Sequence, residues 1–166
     1  MNQIEVFCPG SVANVSCGFD VLGFCLEPVG DVMKVTKTET PGVSIGTILG
    51  QDLPTDPLKN VASVAVTALL EAHPSKYGFR IDIDKRIKPG SGIGSSAASA
   101  AGAVFAVNEL LGKPYSRNEL IQFAMAGEAL ASGAAHADNL APVLLGGFTF
   151  LRINKSLDVI RRPSPP

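Results

Sequence analysis

Apolar positions keep strand spacing through the first fifty residues and helix spacing through much of the remaining chain. Ile4 to Cys8 predicts a strand, closed by Pro9-Gly10. Val21 to Leu26 and Asp31 to Thr38 predict two more, separated by the turn residues Pro28-Val29-Gly30. Val43 to Leu49 predicts a short fourth strand, weakened by Gly46. Then the period changes. Asp56-Pro57 offers a cap and a first-turn proline. Val61, Val64, Ala65, Ala68, Leu69 and Ala72 come next at spacings of three and four, a helix with one apolar face that His73-Pro74 ends. Phe79-Arg80-Ile81-Asp82-Ile83-Asp84 alternates cleanly and predicts a half-buried strand.

A glycine- and serine-rich stretch from Pro89 leads into a helix expected over Ala97 to Leu111, stopped by Gly112 with Pro114 beyond. Ser116 and Glu119 form a capping box, and Leu120, Ile121, Ala124, Met125 and Glu128 trace the stripe of the helix it opens. Ser132-Gly133 breaks that helix. Ala135 to Asn139 reads as a loop, and Phe148 to Ile153 with Leu157 to Ile160 as a closing hairpin. The ending Arg161-Arg162-Pro163-Ser164-Pro165-Pro166 is extended and unable to join a sheet interior. Residues 1–160 are therefore expected to form one domain and 161–166 a proline-rich linker. Strands first, then strands mixed with helices, predict an α+β fold and not a doubly wound parallel sheet.

Composition narrows the function classes. A chain of 166 residues that is 46% hydrophobic suits one folded domain. Fourteen basic side chains against fifteen acidic ones leave a net charge of −1. A general binder of nucleic acid or of an anionic membrane needs a basic surplus, so neither partner is expected. Cys8, Cys17 and Cys25 form no C-x-x-C pair, and His73 and His136 lie far from them. Free thiols in a reducing compartment are the simple reading. The amino terminus shows no signal peptide, and no apolar run approaches the roughly 20 residues of a membrane helix. A cytoplasmic location is expected.

Pro89 to Ser99, P-G-S-G-I-G-S-S-A-A-S, carries the strongest chemical signal. Gly90, Gly92 and Gly94 permit a tight backbone and remove side chains that would block a ligand. Ser95 and Ser96 fall at a helix start, where unpaired N–H groups and the positive end of the dipole favour phosphate oxygens. It is not a P-loop, because no lysine follows Gly94, and the spacing misses the dinucleotide fingerprint. The alternative is a flexible loop with Ser95 as a cap, which needs one serine and not three glycines besides. Lys85, Arg86 and Lys88 upstream either supply cations to a triphosphate or form a solvated strand end. Glu128 continues an apolar stripe, where a carboxylate carries a desolvation cost unless something positive meets it. With Ser96 it would suit magnesium; otherwise it sits at an edge and reaches water. His136, Asp138 and Asn139 crowd one loop, and Asn14, Cys17, Gly18, Phe19 and Asp20 another. Each is either a ligand-holding loop or an ordinary polar turn. No histidine near Cys17 supports a nucleophile.

Taken together, these segments resemble the homoserine kinases of the GHMP kinase superfamily. The loop Pro89 to Ala97 carries the superfamily's nucleotide motif. Pro9-Gly-Ser11-Val-Ala13-Asn14 with Gly18-Phe19-Asp20-Val-Leu-Gly23 matches a segment characteristic of homoserine kinases. Asp56-Pro-Leu-Lys59-Asn60-Val61 and Gly127 to Asn139 match two more, so the resemblance spans Pro9 to about Phe150. It implies the superfamily's amino-terminal domain, a mixed or antiparallel sheet with helices on one side. It implies ATP and Mg2+ as cofactors and transfer of the γ-phosphate to the side-chain hydroxyl of L-homoserine. The product would be O-phospho-L-homoserine, in threonine biosynthesis.

The resemblance also implies roles. Pro89, Gly90, Ser91, Gly92, Ile93, Gly94, Ser95, Ser96, Ala97, Ala98 and Ser99 would hold the ATP phosphates, with Lys85 near them and Asn60 and Val61 near the adenine. Ser96 and Glu128 would hold the magnesium. Asn14, Asp20, His136, Asp138 and Asn139 would form the amino-acid pocket, with Asp20 pairing the ammonium. Homoserine kinases lack a strong catalytic base, so Asp138 and Asn139 would orient the hydroxyl. Family members carry a second, carboxy-terminal domain that completes the cleft, so this chain is expected to be an amino-terminal portion, inactive alone. An exposed interface of that kind favours self-association, and a homo-oligomer, a dimer, is expected. If the natural chain ends at Pro166, a non-catalytic nucleotide-binding or assembly module is the alternative; a kinase for another small alcohol is a further one.

Overall fold

Phe79, Ile81 and Ile83 turn inward from one short strand while Arg80, Asp82 and Asp84 turn outward, and that alternation organises the domain around one covered sheet face. The computed structural model describes residues 1–133, 136–153 and 157–162. Its strands are β1 (Gln3–Val15), β2 (Gly18–Thr38), β3 (Gly42–Leu49), β4 (Gly78–Asp84), β5 (Phe148–Ile153) and β6 (Asp158–Arg162). Its helices are α1 (Val61–Ala72), α2 (Ser95–Leu110), α3 (Arg117–Ser132) and α4 (Leu140–Leu145). The sheet runs β3-β4-β2-β5-β6, with β1 also paired to β2. The β3–β4 pair is parallel and the other pairs are antiparallel, so the sheet is mixed and the fold α+β, as expected.

β2 is the axis. Its second half pairs with β4 from Val32 to Thr38, and its first half with β5 from Leu22 to Phe24. Two expected turns are absent. Pro9-Gly10 does not close β1, and Pro28-Val29-Gly30 does not break β2. The register instead jumps from Pro9↔Gly30 to Ser11↔Cys25. The punctuation residues mark a wide bulge, which lets both strands change direction without ending. Gly30 is required there because a Cβ would meet the Phe7 ring at 2.4 Å.

α2 packs on β1 and β2, flanked by α1 and α3. Ala97, Ala98, Ala100, Ala101 and Ala103 are fully buried, so the small residues let a helix lie in the middle of the core. Met33, Val35, Phe79 and Ile81 meet them from the sheet, with Val66 and Leu69 from α1 and Leu120 and Ile121 from α3. α1 starts four residues later than expected, because Asn60 is the cap: its Oδ1 accepts from Ala62 N at 3.0 Å. Asp56 caps only a preceding turn, accepting from Leu58 N. α2 starts two residues early, at Ser95, and α3 opens with the expected capping box and closes on Gly133. α4 has no counterpart in the sequence reading. The closing hairpin forms, but β6 runs on, pairing Arg161 with Thr149 and Arg162 with Phe148. Those two residues belong to the sheet and not to a linker. The expected linker residues 163–166, and Ala135 of the expected loop, lie outside the described residues.

Candidate active site

Between β4 and α2 the chain passes through Gly90, Gly92 and Gly94, all with positive φ. At Gly92, φ is +79° and a Cβ would meet nothing within 4 Å, so this backbone faces open space. Gly94 is the N-cap of α2 at φ 65°, and no side chain caps that helix end. In front of it opens a cavity of about 530 Å³, a size typical of small-molecule sites. Gly90, Gly92, Ser95 and Ser96 form one wall. Asn60, Val61 and Glu128 form another, and Asn14 and Asn139 also reach it. A helix N-terminus without a cap, facing such a space, is suited to an anion.

Not every loop residue faces the cavity. Ala97 and Ala98 point into the core, and Ala98 N–H is committed to Gly94 O at 2.9 Å. Ser91 N donates to Lys88 O within the turn, and Ile93 packs against the core. Ser99 lies on the floor, where Lys85 donates to it. Leu53 and Pro54, which no motif marks, also line the space, as does Lys59 of the Asp56–Val61 segment.

Lys85 is not a free cation. It is buried, and its ammonium donates to Asp31 Oδ2 at 2.5 Å, Ser95 O at 2.7 Å and Ser99 Oγ at 3.0 Å. All three donors are thus spent on protein acceptors beneath the loop. Burial holds its pKa below the ordinary value, against the pull of Asp31. Asp31 Oδ1 accepts from Arg86 N and Ile87 N at 2.8 Å each. The pair therefore fastens the chain entering the glycine loop to the helix turn leaving it. Asp31 carries no signal in the sequence, because its partner lies 54 residues away. Beside it Cys8 is buried, and burial together with the Asp31 charge pushes its thiol up to about 12, so it stays protonated.

Across the cavity Ser96 Oγ donates to Glu128 Oε2 at 2.7 Å, bridging α2 and α3. Burial raises the Glu128 pKa above its ordinary 4.5, with Ser96 opposing and Asp138 reinforcing. An unfolded Glu128 gives up its proton near 4.5, whereas the folded one holds it longer, so stability falls as pH rises between the two values. Glu128→Gln is therefore expected to raise the melting temperature at pH 7, by about 1–3 °C, and to leave it unchanged below pH 4. Equal melting temperatures at pH 7 would show that the carboxylate is fully solvated.

The second polar loop is the tip of the β1–β2 hairpin. Asn14 and Asp20 hold φ of 59° and 57°, left-handed conformations that asparagine and aspartate adopt more readily than other side-chain-bearing residues, and Asn14 Oδ1 accepts from Asp20 N at 2.8 Å. His136 Nδ1 stands 3.7 Å from Asp20 Oδ1. Asp138 is buried, accepts from Asn139 N at 3.0 Å, and its pKa is raised by burial. The structure thus brings Asn14, Asp20, His136 and Asp138 together at the end of the cavity that Asn139 reaches. Among the described residues, no cluster of three or more His, Cys, Asp or Glu forms a metal-ligating group.

A bare glycine loop at a helix start, a serine–glutamate pair opposite and Asn14 and Asn139 at one end line a single cavity suited to an anionic ligand. Residues 60–147 match the family model of the GHMP kinases N terminal domain, and the chain belongs to that family. Over its whole length it is 45% identical to the homoserine kinase of Chloroherpeton thalassium, and over 99% of it 47% identical to that of Chlorobium phaeobacteroides. Its fold superposes on the crystal structure of homoserine kinase from Cytophaga hutchinsonii with a TM-score of 0.92, at 46% identity over 99% of this chain and 53% of that one. The chain spans about half the length of these relatives, 56% and 55% of the two sequences.

Proposed function

We propose that this chain is the nucleotide-binding part of an ATP-dependent homoserine kinase, which converts L-homoserine to O-phospho-L-homoserine, a step of threonine biosynthesis. One observation carries the reading: the uncapped start of α2, the Ser96–Glu128 pair and Asn139 converge on a single cavity. The reaction forms a bond between the homoserine hydroxyl oxygen and the γ-phosphorus while the bond from that phosphorus to the β,γ-bridging oxygen breaks, ADP leaves and the hydroxyl proton is released to solvent. Such transfer depends on positioning and on donors aimed at the phosphoryl oxygens. The N–H groups at the helix start and the loop would bind the phosphates. Val61 and the Leu53-Pro54 wall would pack on the base. Asp20 would pair the substrate's ammonium, beside His136, and Asn139 would hold the hydroxyl.

Ser96 and Glu128 fit Mg2+, since they set a hydroxyl and a carboxylate side by side, and this ion takes few protein ligands plus phosphate oxygens. When bound, it would neutralise phosphate charge. The three free cysteines suit a reducing cytoplasm, and no helix among the described residues is long and apolar enough to cross a membrane.

The test is ADP release by the complete natural protein with ATP and magnesium. Turnover is expected with L-homoserine, and Asp20→Asn is expected to raise the KM for homoserine about tenfold, the loss of one charged hydrogen bond, with the KM for ATP within about twofold. Equal turnover of mevalonate, or none of homoserine, would overturn the reading. A rise in the KM for ATP instead would remove Asp20 from the amino-acid pocket.

A further inference from the structure

Ser11 is fully buried in β1, where the strand resumes pairing after its bulge. Its hydroxyl donates to Asn139 Oδ1 at 2.9 Å. Its backbone N–H donates to Ile93 O at 3.0 Å, in the glycine loop. Gly94 lies so close that a Cβ there would stand 2.1 Å from Ser11 Oγ and 3.0 Å from Asn139 Oδ1. One small side chain therefore sits where the glycine loop, the start of α2 and the residue facing the transferred group meet.

The bond runs one way in this structure, with the Ser11 hydroxyl as donor and the Asn139 amide oxygen as acceptor. A carboxamide has one oxygen, which only accepts, and one nitrogen, which only donates. With Oδ1 held by Ser11, the end of Asn139 left for the cavity is its NH2. We propose that Ser11 is a positioning residue for phosphoryl transfer: it fixes the Asn139 amide so that its NH2, and not its carbonyl, faces the reacting oxygens. This rests on the kinase reading above. Asn139 then stabilises charge on the hydroxyl or phosphoryl oxygen and offers no acceptor for the hydroxyl proton. The Ile93 bond ties the same serine to the glycine loop, so the amide and the phosphate site keep one fixed separation.

The test is a double-mutant cycle in the complete natural protein, read as kcat and both KM values, with melting temperature and binding of a fluorescent ATP analogue alongside. Ser11→Ala is expected to lower kcat about 10- to 100-fold while both KM values and nucleotide binding stay within about twofold, since the lost contact acts after binding. In an Asn139→Ala background the same substitution is expected to change kcat no further, because Ser11 acts through that amide. An equal loss in both backgrounds, or a full rate for Ser11→Ala, would overturn the proposal alone. Asn139→Asp is an independent check that leaves Ser11 intact. It keeps an oxygen for Ser11 and sets a second one where the NH2 was, so turnover is expected to fall at least as far. Retained or raised turnover would show that an acceptor serves there, which also overturns it. Absence of homoserine turnover by the unsubstituted protein would instead end the kinase reading, and this proposal with it.

Discussion

Lys85→Met is expected to cost about 3–5 kcal/mol of stability, the usual penalty for leaving a buried charge without its partner. A typical domain holds only about 5–15 kcal/mol in total, so the substitution would remove roughly a third to a half of the stability of a domain in the middle of that range. Lys85 and Asp31 are 2% and 0% exposed, so the carboxylate has little contact with solvent to offset the lost ammonium. Asp31 Oδ1 would keep the N–H groups of Arg86 and Ile87, but Oδ2 would lose its cation, and Ser95 O and Ser99 Oγ would lose a donor. Combining Lys85→Met with Asp31→Asn removes both charges, and the pair should be more stable than Lys85→Met alone. Urea midpoints measure this directly. A single-variant loss under about 1 kcal/mol would mean that the pair is solvated.

Periodicity made the helical half of the fold legible, and it failed where long-range pairing decides. α1, α3 and the β5–β6 hairpin follow local rules: a 3.6-residue stripe, a capping box, alternation about a turn. β1 and β2 do not. A Pro-Gly pair and a Pro-x-Gly triplet look like chain reversals when read singly, yet each sits opposite the other in one bulged ladder. Neither segment can show that without the other. α4 was missed because six residues, Pro142 among them, are too few to establish a period.

The site divides the same way. The glycine loop and the Ser96–Glu128 pair are visible because bare backbone, and a carboxylate on an apolar stripe, are locally odd. Asn60 was assigned through the resemblance; the structure gives it a local task as well, as the cap that starts α1. Lys85 borders the cavity, but that its ammonium is held by Asp31 is not visible along the chain. Ser11 stands in the Pro9–Asn14 segment that carries the resemblance, but nothing along the chain says what its hydroxyl touches. Its importance comes from residues 93, 94 and 139 arriving around it. Contacts between distant segments are what a single sequence conceals.

Gly94→Ala is expected to damage folding severely together with nucleotide binding, whereas Gly92→Ala should damage binding with only a small loss of stability. Both residues hold positive φ, so either alanine carries about 1–2 kcal/mol of backbone strain. The surroundings separate them. At Gly92 a Cβ meets nothing, so the methyl would stand in the cavity, where a phosphate would have to pass it. At Gly94 it would stand 2.1 Å from Ser11 Oγ and 3.3 Å from Ser11 N. Relief requires either β1 or the first turn of α2 to move, and Ser11 is already tied to Ile93 and Asn139. Strain and overlap together should lower the urea midpoint of Gly94→Ala well beyond that of Gly92→Ala and weaken a fluorescent ATP analogue about 100-fold or more, roughly 3 kcal/mol. If the two variants melt alike and bind alike, the close approach of β1 to the helix start does not set the shape of the phosphate site.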